Sequence, residues 1–200
     1  MLFRSVIEGA ENTHDLDEEI IQMNESEERE EQIILCAANH VRAARSQKEL
    51  AQQKVDLAKE TSDAPIQDKI VTLVMDYCQN LNLPHVGLEQ VGDMYYYSPI
   101  WLYCLGIVDT LIDHLYAYIY SESDGKRGGN NSSSILLHHL KTHVFPVKGT
   151  PQPIKELNVI MDNCAGQNKN RMILRSAALC IEMGWVKSIN LIFLVKGHTK

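Results

Sequence analysis

The hydrophobic pattern of the chain changes period partway along. Between Glu25 and Glu60 no Pro or Gly interrupts, and Ile33, Ala37, Val41, Ala44, Ala51, Val55 and Ala58 recur three, four or seven residues apart. That spacing predicts a long helix over 25–62 with a thin apolar stripe. Such a stripe suits a scaffold lying against a core, a coiled-coil arm or a dimer contact, the scaffold being the simplest of these. Arg42, Arg45 and Lys48 on the same helix could also touch phosphate. The segment "TSDAPIQD" ends the pattern, with Pro65 as the breaker.

Beyond it the period shortens to that of strands. "KIVTLVMD" is a buried strand ending at Asp76, "MYYYSPIWLYCLGIVD" is aromatic and β-branched but interrupted by Pro99, and "HLYAYIYSES" alternates as a half-buried strand ending near Glu122. "DGKRGGNNSSS" is expected as a flexible turn that caps a helix "ILLHHLKTHV", stopped by Pro146. A linker with Pro151 and Pro153 leads to an apolar run, Leu157 to Met161, too short for a helix and therefore a strand, with Asp162 at its carboxyl end. A helix over about 170–183, closed by Gly184, and a last strand "SINLIFLVKG" follow. The fold class is α/β, in the order β-β-β-α-β-α-β after a long N-terminal helix. The expected divisions are an acidic disordered tail over 1–24, the helix over 25–62 and a sheet domain over 68–200.

Composition narrows the setting. Two hundred residues, 44% of them hydrophobic, suffice for one ordinary core with an extension. No run approaches the roughly 18 apolar residues of a membrane span, and the N-terminus lacks a secretory h-region, so an intracellular chain with no membrane partner is expected. Five scattered cysteines without a CxxC pair suggest neither a disulfide framework nor a zinc module. The net charge of −7 conceals a gradient: −9 over residues 1–35, −6 over 36–124 and +8 over 125–200. The basic third could attract a polyanion or serve only solubility.

The candidate chemistry lies at the strand ends, where ligands collect in open α/β sheets. In this order of elements the first and fourth strands are expected side by side, so Asp76 and Asp162 would project from neighbouring ends. Two carboxylates so placed repel, and either a shared proton or a divalent cation resolves the repulsion. Mg²⁺ or Mn²⁺ suits all-oxygen ligation and phosphoryl chemistry. His139 and His143 have the i, i+4 spacing of a zinc pair but no HExxH pattern, and with His138 they read as a surface helix bearing histidines. Cys164 has no nearby base and reads as a packing residue.

The strings "MDNCAGQNKN" and "INLIFLVKGHTK", with "VMDYCQNLNLPHVG", "YYYSPIWLYCLGIVD" and "SESDGKRGGNN", resemble a family of transposon-derived eukaryotic proteins similar to DDE transposases and integrases. The likeness runs from about His40 to Lys200. It implies a ribonuclease-H-like mixed sheet, DNA as partner, a nuclear setting, and an Mg²⁺ or Mn²⁺ pair held by Asp76 and Asp162. Glu122 is a weaker candidate acid, equally readable as a solvated turn residue. Asn163, Gln167, Asn168 and Lys169 would line the edge of the site, Lys126 and Arg127 would grip a strand from a mobile turn, and Arg171 and Arg175 would follow on the next helix. His198 would face the acids or solvent. In the family pattern a further helix after GHTK brings the third acid, so the chain as given, ending at Lys200, is expected to be inactive in strand cleavage. A homo-oligomer through the N-terminal helix is a further expectation.

Overall fold

A computed structural model describes residues 13–84, 96, 98–145 and 152–195, with side chains from residue 28 onward. The chain divides into two compact units, residues 1–45 and 46–200. Helix α1 spans Thr13–Glu60, so helical backbone takes in residues 13–24, expected above as disordered tail. Glutamate is a good helix former and is favoured near a helix N-terminus, where it meets the positive end of the macrodipole.

The second unit is a six-stranded mixed sheet with helices. The strands are β1 (Ile70–Tyr77), β2 (Leu81–Leu83), β3 (Ile100–Asp109), β4 (His114–Ser121), β5 (Ile154–Asp162) and β6 (Val186–Leu194), and the helices are α2 (Gly129–His139) and α3 (Arg171–Glu182). The main order across the sheet is β4-β3-β1-β5-β6, with β2 continuing along β3 beyond the end of β1. β3 pairs antiparallel with β1 and β4, whereas β5 pairs parallel with β1 and β6. β2 is absent from the expected strand order because its three residues are too few to show alternation. β3 starts at Ile100, later than the expected second strand and directly after Pro99, which cannot donate to a ladder.

Alternation along the strands separates two faces. Leu73, Met75 and Tyr77 of β1, Leu105 and Ile107 of β3, and Leu157, Val159 and Met161 of β5 form one buried cluster with Leu136 and Leu140 from the α2 region and Ile173 and Cys180 of α3. The opposite face carries Thr72, Val74 and Asp76 of β1 and Asn158, Ile160 and Asp162 of β5. There a polar ladder, buried at Thr72 and Asn158 and half-buried at Asn190, crosses three strands. Asn190 Nδ2 donates to Asn158 Oδ1 (2.8 Å), Asn158 Nδ2 to Thr72 Oγ1 (3.2 Å), and Thr72 Oγ1 to the Lys54 carbonyl of α1 (2.8 Å). Lys54 Nζ also pairs with Glu156 at 2.8 Å. The C-terminal turns of α1 thus lie on this face, as a scaffold.

α2 begins six residues before the expected start at Ile135, since Asn130 to Ser134 form its first turns, with Ser132 and Ser133 buried. Residues 140–144 widen into a π turn. The glycine-rich segment before α2 is packed rather than loose: Gly129 N donates to the Gly166 carbonyl at 3.0 Å, and a Cβ on Gly129 would come within 2.5 Å of the Asn170 amide. His139, expected on a surface, is fully buried; Tyr118 Oη lies 2.9 Å from its Nδ1, and the Tyr116 ring 4.9 Å away, centroid to centroid. Among the described residues no helix is long and apolar enough to cross a membrane.

Burial, reinforced by His143 and His138, lowers the His139 pKa from 6.5 to about 4. The unfolded chain therefore takes up a proton that the fold refuses. Stability is full above about pH 6.5 and is lost as pH falls towards 4, by about 2 kcal/mol between pH 7 and pH 5. Denaturant titrations at the two pH values should show that loss, and His139→Gln should remove most of it.

Candidate functional site

The site is set by register. Val74 lies opposite Ile160 and Met75 opposite Met161 in the parallel β1–β5 pair, so the next step brings Asp76 level with Asp162 on the same face. Asp76 Oδ1 accepts a hydrogen bond from Tyr77 N at 2.8 Å. Its pKa is raised, chiefly by burial and further by the Asp162 charge, against the opposing pull of the Tyr77 amide and the Arg127 guanidinium. The two carboxylates are close enough to feel one another. Across from Asp76, β3 offers Gly106, so the neighbouring strand places no side chain beside it.

The chain after Asp162 coils tightly. The Cys164 carbonyl accepts from the amides of Gln167, Asn168 and Lys169 at 2.8–3.2 Å, so Cys164 organises this turn through its backbone. Asn168 is fully buried; its Nδ2 points to the Asp162 carbonyl at 3.4 Å, and its Oδ1 has no donor among the described residues. Asn170 caps α3, its Oδ1 accepting from Met172 N and Ile173 N at 2.9 and 3.2 Å. Asn163 and Gln167 are half-buried in the same turn.

Arg127 departs most from expectation. Expected on a mobile turn, it turns inward, its guanidinium 4.8 Å over the Tyr77 ring and its Nη1 donating to Asn80 Oδ1 at 2.7 Å. Tyr77 and Tyr120 share a hydroxyl contact of 2.9 Å beneath it, and the Tyr120 hydroxyl donates to the Lys126 carbonyl at 3.3 Å. Arg127 is therefore the cation that faces the carboxylates from the helix side of the sheet. No sequence signal distinguished it from Lys126, its exposed neighbour.

Lys126 and Arg171 instead meet across an open groove of about 550 Å³, lined also by Gly128 to Asn131 at the start of α2 and by Asn170 and Met172 at the start of α3. Arg175 is exposed one turn beyond Arg171. Lys169 is exposed, its Nζ 5.8 Å from the centre of the Phe193 ring. Glu122 is not brought to the pair. Gly106, level with Asp76, pairs with Ala117 of β4, so Glu122 lies two strands away and five residues further along, about 16 Å in strand rise. His198 lies outside the described residues. Among those described, no three His, Cys, Asp or Glu side chains gather as metal ligands.

Residues 102–200 match the model of a domain of unknown function, DUF7869. No curated protein matches the chain. Among solved structures, the crystal structure of the Mos1 strand transfer complex aligns at 8% identity and a TM-score of 0.27, covering 74% of this chain and 41% of that one. The chain thus spans less than half the length of that neighbour, and a likeness at this level discriminates no fold.

The electrostatics can be checked directly. In a carboxyl NMR titration, Asp162→Asn should lower the Asp76 pKa and Arg127→Gln should raise it. An Asp76 titration indifferent to both would mean the three groups are not neighbours. Asn170→Ala, which leaves two α3 amides without their cap, should cost about 1 kcal/mol in denaturant unfolding.

Proposed function

We infer that residues 46–200 are a transposase-derived domain with a ribonuclease-H-like core, related to metal-dependent polynucleotidyl transferases and nucleases. One observation carries the reading: the parallel pairing of β1 and β5 that sets Asp76 beside Asp162 on one face. The same two strand ends are the positions that the family resemblance assigns to its first and second acids. Support also comes from the sheet order, in which an antiparallel β4-β3-β1 half joins a parallel β1-β5-β6 half.

The donor set fits Mg²⁺ or Mn²⁺. Two carboxylates are hard oxygen ligands; burial chiefly raises the Asp76 pKa, and the Asp162 repulsion that adds to it is what a bound cation would relieve. Such an ion, when bound, polarises a phosphoryl oxygen and lowers the pKa of its water. Asp76 and Asp162 would hold it, and Arg127 would balance the remaining charge. Lys126, Arg171 and Arg175 would meet the phosphates of a nucleic acid along the groove, with Gln167 and Lys169 at its margin. DNA is the proposed partner, and a nuclear location goes with it. Glu122 is too far along β4 to complete the ligands, and the family resemblance puts the third acid on a helix after GHTK. Residues 46–200 are proposed to bind metal and nucleic acid.

A second reading, a nucleic-acid-binding module without metal, draws on the groove alone, where Lys126 and Arg171 converge independently of the carboxylates. Thermal unfolding of the whole chain separates the two. Saturating Mn²⁺, at about a hundred times its dissociation constant, should stabilise the protein by about 2.7 kcal/mol. The gain should vanish in Asp76→Ala and Asp162→Ala and persist in Glu122→Ala. No gain in the unaltered chain would reject the metal site. Separately, DNA binding should weaken with salt, and Arg171→Glu with Arg175→Glu should flatten the slope of log affinity against log salt by roughly 1.5 to 2. Binding indifferent to salt would reject the basic surface as the interface.

A further inference from the structure

The first unit presents a helix segment that contradicts its exposure. Residues 33–38 read "IILCAA", six apolar side chains in succession, and all six are exposed on α1, with Ile33 at 62%, Ile34 at 67% and Leu35 at 61%. At 100° per residue this run covers the whole circumference of the helix. A helix apolar all round is normally a buried one, and an exposed apolar run of this length marks an interaction surface. Val41, 41% exposed, extends the surface by one turn.

The charges on either side indicate what covers it. N-terminal to the apolar run stand Glu28, Glu30 and Glu31 against Arg29 alone; C-terminal to it stand Arg42 and Arg45 with no acid between residues 32 and 48. All six of these side chains are exposed. The segment is acidic at one end, apolar in the middle and basic at the other, which makes it complementary to its own reverse. A two-fold axis between Ala37 and Ala38 sets Glu30 of one copy level with Arg45 of the other and Ile34 level with Val41. Arg42 then lies level with Ile33, where its stem can cover apolar surface. The alanines at the axis let the helices approach closely. A parallel arrangement would put acid beside acid and base beside base. We propose that two copies of this chain associate through an antiparallel pairing of α1 centred on residues 37–38, an isologous contact of the kind most homodimers use.

Sedimentation equilibrium of the full chain should show a monomer–dimer equilibrium that weakens with salt. Glu30→Arg with Glu31→Arg, or Arg42→Glu with Arg45→Glu, should each weaken dimerisation roughly tenfold or more, because each gives the two ends of the segment the same net sign. The fourfold exchange, carrying both pairs, should restore it. Ile34→Asp should weaken it without loss of helix content by circular dichroism. A chain monomeric up to its solubility limit would overturn the proposal. So would a dimer indifferent to either charge reversal, since a parallel pair predicts no penalty for them, and so would a fourfold exchange that stays dissociated.

Discussion

The register in which β1 pairs in parallel with β5 governs everything at the carboxylate end of the sheet. A strand has no intrinsic preference between registers one residue apart, yet such a slip sends every side chain to the opposite face. Here the choice is fixed by polar groups. Thr72, Asn158 and Asn190 sit in three successive strands and satisfy one another in sequence, ending on the Lys54 carbonyl. A slip of β5 would leave Asn158 among the apolar side chains beneath α2 and α3 without a partner, at a cost of several kcal/mol. Thr72 is four residues before Asp76, and Asn158 four residues before Asp162. Satisfying the ladder in the middle of the sheet therefore aligns the two carboxylates at its end.

The helix side contributes the opposing charge. The tight segment from Gly125 to Gly129 carries Arg127 back over Tyr77, the residue that follows Asp76 and points to the other face. The guanidinium thus lies on the far side of the strand end from the carboxyl groups, close enough to lower the Asp76 pKa without bonding to it. Lys126, one position earlier, points instead into the groove between the starts of α2 and α3. Two neighbouring cations thus have different surroundings, Arg127 over Tyr77 and Lys126 at the groove. The close packing of Gly129 against Asn170 joins the loop before α2 to the cap of α3, so both sides of the groove are positioned by one contact.

What was legible in the sequence follows the same division between local and tertiary signals. Strand ends at Asp76 and Asp162 could be read because an apolar run stopped abruptly at an acid, and Gly184 with positive φ closes the α3 turn as its position suggests. The inward course of Arg127 could not be read, since a Gly-rich stretch with Lys and Arg gives the same local pattern whether it packs or waves in solvent. The early start of α2 was obscured because Asn and Ser favour caps and turns in isolation, and only burial of Ser132 and Ser133 against the core overrides that preference. His139 has the same origin. Helical spacing placed it beside His138 and His143, but which of the three faces the sheet depends on the position of β4.

Asp76 is held at some cost to the fold. Its raised pKa means that the unfolded chain releases this proton more readily than the folded one, so stability declines as pH rises from the ordinary carboxyl range through the folded value. Burial is the largest cause, and the neighbouring Asp162 adds to it, while nothing in the ladder or the core requires an acid at either position. An asparagine or a small apolar residue at the end of β1 would serve the sheet as well. A single acid that opposes the stability of its own fold at the open end of a rigid parallel pair is what the proposed binding role would explain. The polar ladder differs in this respect: each of its members is satisfied inside the protein. Asp76, by contrast, accepts one hydrogen bond from the Tyr77 amide and keeps a raised pKa beside Asp162.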